Sequence, residues 1–517
     1  MKRKIFMTAW DMDIEKGGIN KVMLKRASLF ANDEYDIELL TMDFKFNYDI
    51  IEKELKLSGQ LPKSAKITNV YDYYRRKFTK NTISSAAQAK FEQQIKKFEE
   101  GYWVEDGGEF ARYFQNGTYI KYKKWHEDGT INFIDYFDDN RVRTRREEFH
   151  HTGFLQREVL YHPSNNKKNQ ERFYTEDGFC FLSLWYNNKS GKLQKVYLFS
   201  PDYDKVEYFP SSKEFHDFWL NEICRVEVVK PVIICDGSAP TTRVTSIDDE
   251  LVYKIYMLHS NHFAAPYELG SPYRTVYQAK LDVIPKGYPV VVLTEQQRLD
   301  LHKEIGNRGN IHVIPNCVEV NDFNIEKNLK LVSMIARYSP EKRLDEAIKA
   351  FSLVVEQVPE AKLDIYGNGN EEESLNKLIQ ELKLENSVEL KGYTNKVHEV
   401  LAASSVSLVT SAYEGFSLAM LESLANKTPV ISYDINYGPS QVIEDGVNGY
   451  LVPNGDSEQL AEKIIHLLNN HDLVVKMGNE ARNTVLKDYS PERYYEKWSK
   501  LLQDVVNENH NLYTQEI

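Results

Sequence analysis

The stretch "KIFMTAW" (residues 4–10) is a short apolar run that reads as a buried strand. It leads into "DMDIEKGGINKVMLKRASLF", a glycine loop entering a helix, and then "YDIELLTMDF", a second strand. Strand, glycine loop, helix and strand predict the opening of a parallel α/β domain. From about residue 80 to 215 the rhythm changes. Tyr, Phe and Trp crowd short alternating runs broken by Asn116-Gly117, Asp128-Gly129 and Asp177-Gly178. "TYIKYKKW" turns through "HEDG" into "TINFIDYF", a hairpin signal, so this region predicts an antiparallel β-meander inserted into the first α/β domain. The α/β pattern returns in "KPVIICDG", "VYKIYMLHSNH" and "YPVVVLTEQQRLDL", strands that end at polar residues, and Thr294 with Gln297 forms the pattern of a capping box. Further strand-loop-helix modules follow from about residue 327, and "PERYYEKWSKLLQDVV" is an amphipathic terminal helix.

These patterns divide the chain into a first Rossmann-like segment (1–80), an inserted β-sheet domain (81–215), the remainder of the first domain (216–322), a second Rossmann-like domain (323–485) and C-terminal helices packing back on the first (486–517). Length agrees, since 517 residues correspond to about three domains at roughly 150 residues each. Two α/β halves joined by one linker are expected to face a cleft where strand carboxyl ends meet a ligand.

Composition narrows the classes. The chain is 42% hydrophobic and 27% charged with net charge −12, so a phosphate-rich partner needs a local basic patch; no nucleic-acid module is visible. The apolar run before Asp11 is too short for a signal segment, and no stretch reaches the length of a membrane span. The four cysteines lie far apart with no Cys-x-x-Cys, which suggests neither zinc nor a disulfide framework. A reduced, cytoplasmic protein is expected.

Candidate chemistry lies in two loops. In "SMIARYSPEKRLDEA", Arg337 and Lys342 follow a strand at the mouth of the next helix, where amide dipoles and side-chain charge would add against a diphosphate; a solvated basic loop is the competing reading. In "SAYEGFSLAMLES", Gly415 permits a tight turn, and Phe416, Ser417 and Leu418 offer amides at a helix start. Glu414 precedes the turn. Glu422 falls inside the apolar helix, where a buried carboxylate needs donors such as sugar or ribose hydroxyls.

Together these elements resemble the retaining glycosyltransferases of the GT-B fold, family four, with their Glu-x7-Glu signature and Arg-x4-Lys pair. The resemblance covers residues 1–75 and 220–510. It implies an α/β architecture of two Rossmann-like domains facing a cleft, with the β-meander domain inserted in the N-terminal one. It implies that Arg337 and Lys342 neutralise the donor diphosphate, that Glu414 contacts the donor sugar, and that Glu422 holds the ribose. Gly17 and Gly18 take the place of the family's phosphate- and acceptor-facing loop. His259, in "LHSNH", takes the place of its histidine beside the transferred sugar, with His262 a weaker candidate. "LKGYT" (Lys391–Thr394, including Tyr393) and "YGNGN" (Tyr366–Asn370) take the loops around the uracil. Ser417 and Leu418 add donor contacts. Cys317 departs from the family's usual glycine. "DMD" at 11–13 imitates the Asp-x-Asp metal site of the other major glycosyltransferase fold, but precedes the glycine loop and reads as ordinary loop residues. No metal or other cofactor is expected, the UDP-sugar being a substrate.

The inserted meander narrows the resemblance to the wall teichoic acid α-glycosyltransferases, which act on poly(glycerol-phosphate) or poly(ribitol-phosphate). That subgroup implies a polyol-phosphate acceptor, glucose or N-acetylglucosamine as the sugar, and a homotrimer through the insertion. It implies no integral membrane segment and leaves peripheral association with the inner membrane face open. "RVRTRR" places Arg141, Arg143 and Arg145 on one strand face, and Lys121 with Lys123 repeats the spacing. These rows could hold a phosphate polymer, or be a solvated, charge-balanced face. The alternative enzyme is a cytoplasmic O-glycosyltransferase of serine-rich adhesin protein; a non-catalytic two-lobed sugar-binding protein is a third reading.

Overall fold

The computed structural model describes residues 2–14, 17–31, 34–80, 96–202, 204–323 and 325–514, with side chains through residue 507. Among them the strands form three sheets, of seven, ten and six strands. By contact the chain divides into two units. One comprises residues 1–20, 31–233 and 239–252; the other comprises 21–30, 234–238 and 253–517.

In the first unit, Arg3–Thr8, Tyr35–Thr41 and Lys66–Asn69 pair in parallel, burying Ile5, Met7, Leu39 and Leu40 completely. This is the expected α/β opening. The ten-stranded antiparallel meander runs from Trp103–Asp106 to Val206–Phe209, its strands side by side in chain order. Hairpin turns at Asn116-Gly117, Asp128-Gly129 and Asp177-Gly178 join neighbouring strands, each glycine at positive φ (+80°, +83° and +85°), as tight hairpins demand. The first residues of the expected insertion, 81–95, lie outside the described residues.

The basic rows of the meander are corrected by the fold. Arg141 sits at φ +61° in the turn from Asp138 to Val142, before the strand Arg143–Phe149 begins, so it does not share a strand face with Arg143 and Arg145. Those two cover tyrosines, Arg143 at 4.2 Å from the Tyr161 ring and Arg145 at 4.0 Å from that of Tyr136. They also pair with Asp135 (3.4 Å) and with Glu147 and Glu158 (3.5 and 3.7 Å). Lys121 and Lys123 are buried, and both bind Glu99. The strand pattern showed the spacing of the cations but not the acids that neutralise them.

In the second unit, Tyr253–Met257, Val290–Val292 and Ile311–Val313 pair in parallel. The six-stranded sheet is wholly parallel. Counted from Asn328–Ile335 as first to Gly449–Val452 as sixth, its spatial order is 3-2-1-4-5-6, a doubly wound order that reverses between strands one and four. Beneath it lies a core that includes Val332, Met334, Leu363, Ile365, Phe351 and Ile431. The terminal helix Pro491–Thr514 packs on the helix Ile19–Phe30: Trp498 meets Phe30 at 6.0 Å and the Arg26 guanidinium at 4.6 Å. No helix among the described residues is long and apolar enough to cross a membrane.

Candidate active site

In a doubly wound sheet, ligands bind outside the carboxyl ends of the strands where the order reverses. Here those ends belong to Asn328–Ile335 and Ser404–Val409, and the loops leaving them carry Arg337 to Lys342 and Ser411 to Ser417. The structure joins the two loops. The Lys342 ammonium donates to Glu414 Oε1 at 2.6 Å, and the Ser411 hydroxyl donates to the same oxygen at 2.7 Å. Arg343, at φ +46°, ties the backbones together by donating to the carbonyls of Thr410 (2.9 Å) and Ser411 (2.7 Å). Arg337 stays largely exposed, its side chain 74% accessible and paired only loosely with Glu341 at 3.1 Å.

The neighbouring loops are fitted to this segment by glycine. A Cβ on Gly367 would stand 1.8 Å from the Ala336 carbonyl oxygen, and one on Gly369 2.2 Å from that of Tyr338. Tyr338 N–H donates to Asn368 O at 2.8 Å, its hydroxyl donates to Ile365 O at 2.8 Å and accepts from Gly392 N–H at 3.3 Å. "YGNGN" and "LKGYT" are thus brought to the Arg337 loop. Tyr393 is 53% exposed. Thr394 accepts from Lys396 N–H at 3.0 Å.

Past Glu414 the chain turns at Gly415 and begins the helix Leu418–Ala425. Ser417 caps it, accepting from Met420 N–H at 3.3 Å, so its hydroxyl serves the helix, and the first-turn amides precede the intrahelical ladder. Glu422 is buried as expected, and its immediate donor is the Lys21 ammonium on the helix Ile19–Phe30. Gly18, before that helix, has φ +62°, a conformation glycine adopts without strain. Gly17 has open space around its Cα.

His259 lies with its backbone against Gly415: a Cβ on the glycine would be 2.2 Å from the His259 carbonyl oxygen. Its ring is buried, with Nε2 at 2.8 Å from Asp236 Oδ1. Arg26 grips Asp236 through two bonds of 3.0 and 2.9 Å and takes the Tyr494 hydroxyl at 3.0 Å. Burial opposes the Asp236 charge, yet Arg26 and His259 outweigh it and hold the carboxyl down at about 2. Burial depresses His259, with Asp236 working against the shift. The histidine is therefore a neutral ring whose tautomer is set by a carboxylate. His262 is fully buried and stacks parallel to Tyr437 at 6.0 Å, and burial pushes it down to about 4.

Sequence reading missed several positioning groups. Glu414 N–H donates to Asn436 O at 3.2 Å and its carbonyl accepts from Tyr437 N–H at 3.0 Å. The Tyr437 hydroxyl donates to Asp300 at 2.9 Å, and Asn261 Nδ2 reaches Asn436 O at 3.2 Å. The capping box is half corrected: Thr294 does accept from Gln297 N–H at 3.1 Å, but the Gln297 amide turns away to Ser260 O (3.0 Å) and His262 Nδ1 (3.3 Å). Asp236 had a visible signal, the first charge after the apolar run "VIIC"; Arg26, Lys21 and Asn436 had none. Cys317 is buried with its thiol pushed up to about 12 by desolvation, inert in the sense of low thiolate content. The Asp11 and Asp13 carboxylates converge on Lys45, at 3.4 and 2.7 Å.

Residues 318–484 match the family model "Glycosyl transferases group 1". Poly(ribitol-phosphate) α-N-acetylglucosaminyltransferase of Staphylococcus aureus is 31% identical over 508 residues, covering 96% of this chain and 99% of the relative. The chain belongs to this glycosyltransferase family. Poly(glycerol-phosphate) α-glucosyltransferase of Bacillus subtilis is 26% identical over 510 residues, 95% of this chain and 73% of that protein. A crystal structure of S. aureus TarM, a variant in complex with UDP, α-GlcNAc-glycerol and fondaparinux, superposes with a TM-score of 0.87 at 30% identity, covering 96% and 99% of the two chains. The GT-B glycosyltransferase fold with its inserted antiparallel sheet is thereby established for this chain.

Proposed function

We propose that this glycosyltransferase moves an α-linked hexosyl unit, glucose or N-acetylglucosamine, from a UDP-sugar to hydroxyls of a poly(glycerol- or ribitol-phosphate) with retention of configuration. The observation that carries the reading is the convergence of Lys342, Glu414 and the Gly415 turn at the reversal point of the sheet, with the His259 backbone against that turn. As the bond between the anomeric carbon and the phosphate oxygen breaks, charge grows on the departing UDP. Lys342, the extended Arg337 and the amides opening the helix Leu418–Ala425 face that charge, and each such group is worth about 3 kcal/mol of barrier. The acceptor oxygen bonds to the anomeric carbon on the face the phosphate leaves, and its proton passes to the phosphate oxygen. Glu414, already bound to Lys342 and Ser411, positions the sugar rather than attacking it.

In this reading Glu422 accepts from the ribose hydroxyls while also paired with Lys21, and His259, its Nε2–H turned to Asp236, offers Nδ1 as an acceptor to a sugar hydroxyl. The cations Arg337 and Lys342 take the role a metal plays elsewhere, so transfer requires none. The acceptor polymer meets the exposed Arg141 in place of the buried Lys121 and Lys123. A homotrimer through the meander is supported by its outermost strands, which expose Trp103, Val206 and Tyr208; light scattering of the purified chain reads the mass directly.

The deciding experiment incubates the full chain with UDP-glucose or UDP-N-acetylglucosamine and poly(glycerol-phosphate), poly(ribitol-phosphate) or a Ser-rich peptide. UDP release is followed with chelator present, and the anomeric coupling of the product by NMR. An α-linked sugar on a polyol phosphate is expected. Transfer only to peptide would replace the acceptor assignment with adhesin glycosylation, and a β-linked product would end the retaining mechanism.

A further inference from the structure

Outside the donor residues, in the first unit, three ligand-type side chains meet where the meander joins the α/β part. Asp49 lies in the first turn of the helix Tyr48–Leu57. His150 and His151 form the turn between the strands Arg143–Phe149 and Leu155–Tyr161. Their ligand atoms all lie within 4.8 Å of one another.

The geometry points to a divalent-cation site of the Zn2+ type, made by His150 Nε2, His151 Nε2 and Asp49 Oδ2. Both imidazole nitrogens approach the same carboxylate oxygen, His150 at 3.5 Å and His151 at 3.3 Å. These separations exceed ordinary N–H···O hydrogen bonds. They match the edge of a tetrahedron around Zn2+, which is about 3.3 Å for metal–ligand bonds of about 2.0–2.1 Å.

The surroundings fit a held ligand set. His150 is locked by the Thr152 hydroxyl at 2.8 Å from its Nδ1 and by Phe154 stacked at 4.8 Å, which aims Nε2 at Asp49. With Nε2 on the cation, Nδ1 carries the proton and donates to the Thr152 hydroxyl, the outer hydrogen bond a metal-ligating histidine needs, and the Thr152 N–H that lies 3.3 Å from Nδ1 gives up that contact. The second Asp49 oxygen and His151 Nδ1, which are not the atoms offered to the cation, are buried with no hydrogen-bond partner among the described residues, so of the two histidines His150 alone has an outer hydrogen bond there. Two nitrogens and one carboxylate oxygen are borderline ligands that suit Zn2+ or Co2+ better than Mg2+ or Ca2+, and a water completes the tetrahedron. Arg75 binds Glu176 in the next hairpin turn on that side, and Tyr71 packs on Phe173 at 4.8 Å, so the cation would add to the ties between the meander and the helices of its unit. The metal independence proposed for sugar transfer concerns other residues and is not at stake.

The test uses the full chain stripped by chelator and dialysed, then titrated with Zn2+ and with Co2+. One tightly bound equivalent, a rise in thermal midpoint and Co2+ absorption of tetrahedral intensity are expected. Asp49→Asn and the pair His150→Gln with His151→Gln should weaken Zn2+ binding by about 100-fold or more and remove the thermal shift, with far-UV circular dichroism unchanged. Stoichiometric binding that survives these changes, or none in the unaltered chain, overturns the site. Should a variant fail to fold, anomalous scattering at the zinc edge from crystals of the unaltered chain decides: a peak between these three residues upholds the site, and its absence there refutes it.

Discussion

Gly415 and His259 are in backbone contact so close that a single methyl group on the glycine would stand 2.2 Å from the histidine carbonyl oxygen. The same peptide carries Glu414 next to it, so the contact sets the acid relative to the His259 loop. Gly415→Ala should therefore fold but lose most transfer activity. The carbonyl is main chain and cannot swing aside, so the overlap costs roughly 1–3 kcal/mol and moves the turn. A fall in kcat/KM of at least about tenfold with a thermal midpoint lowered by a few degrees is expected; an Ala variant of normal activity would show that the turn does not position Glu414.

Lys342 and Glu414 should behave as a unit. Lys342→Ala removes the cation proposed to face the leaving group and also strips Glu414 of its 2.6 Å partner. A loss of roughly 100-fold or more in kcat is expected. Because neighbours in one network are non-additive, adding Glu414→Gln to Lys342→Ala should cost less than Glu414→Gln alone. Arg337→Ala, with an exposed side chain, should lower turnover comparably and leave the thermal midpoint unchanged.

The buried Glu422 carboxylate takes its donor from Lys21, and the proposed ribose would supply others. Lys21→Met leaves a buried carboxylate without that donor, a loss of about 1–3 kcal/mol, visible as a lowered midpoint in thermal melts. Uridine diphosphate should restore part of the loss, since its ribose hydroxyls would supply donors. Glu422→Ala should abolish this rescue; rescue undiminished in that variant would place the ribose elsewhere.

Stability should decline on mild acidification. His262 has a depressed value of about 4 against 6.5 for an unfolded histidine, because burial disfavours its charge. The unfolded chain thus binds the proton more readily, so the stabilising term is complete above pH 6.5 and disappears as pH falls through about 4. Its full size is on the order of 3 kcal/mol. His216, held at about 3 by burial and then Arg243, acts in the same direction. Denaturant melts between pH 7 and 5 should show this slope, and His262→Gln should flatten it. An unchanged slope would mean that His262 takes up no proton on unfolding.

The sequence by itself determined the order of elements, the meander and the two chemistry-bearing loops, since these follow from local periodicity, turn glycines and charges stranded in apolar runs. It placed Arg337, Lys342, Glu414 and Glu422 on their loops and helix for the same reason. Only the tertiary structure decided which charges meet. Lys21 reaches Glu422 across 401 positions of chain, and Arg26 reaches Asp236 across 210; a row of lysines looks alike in sequence whether water or Glu99 faces it. Pairing depends on which strands and helices lie side by side, and that is settled by burial of the whole apolar surface, which no short stretch encodes.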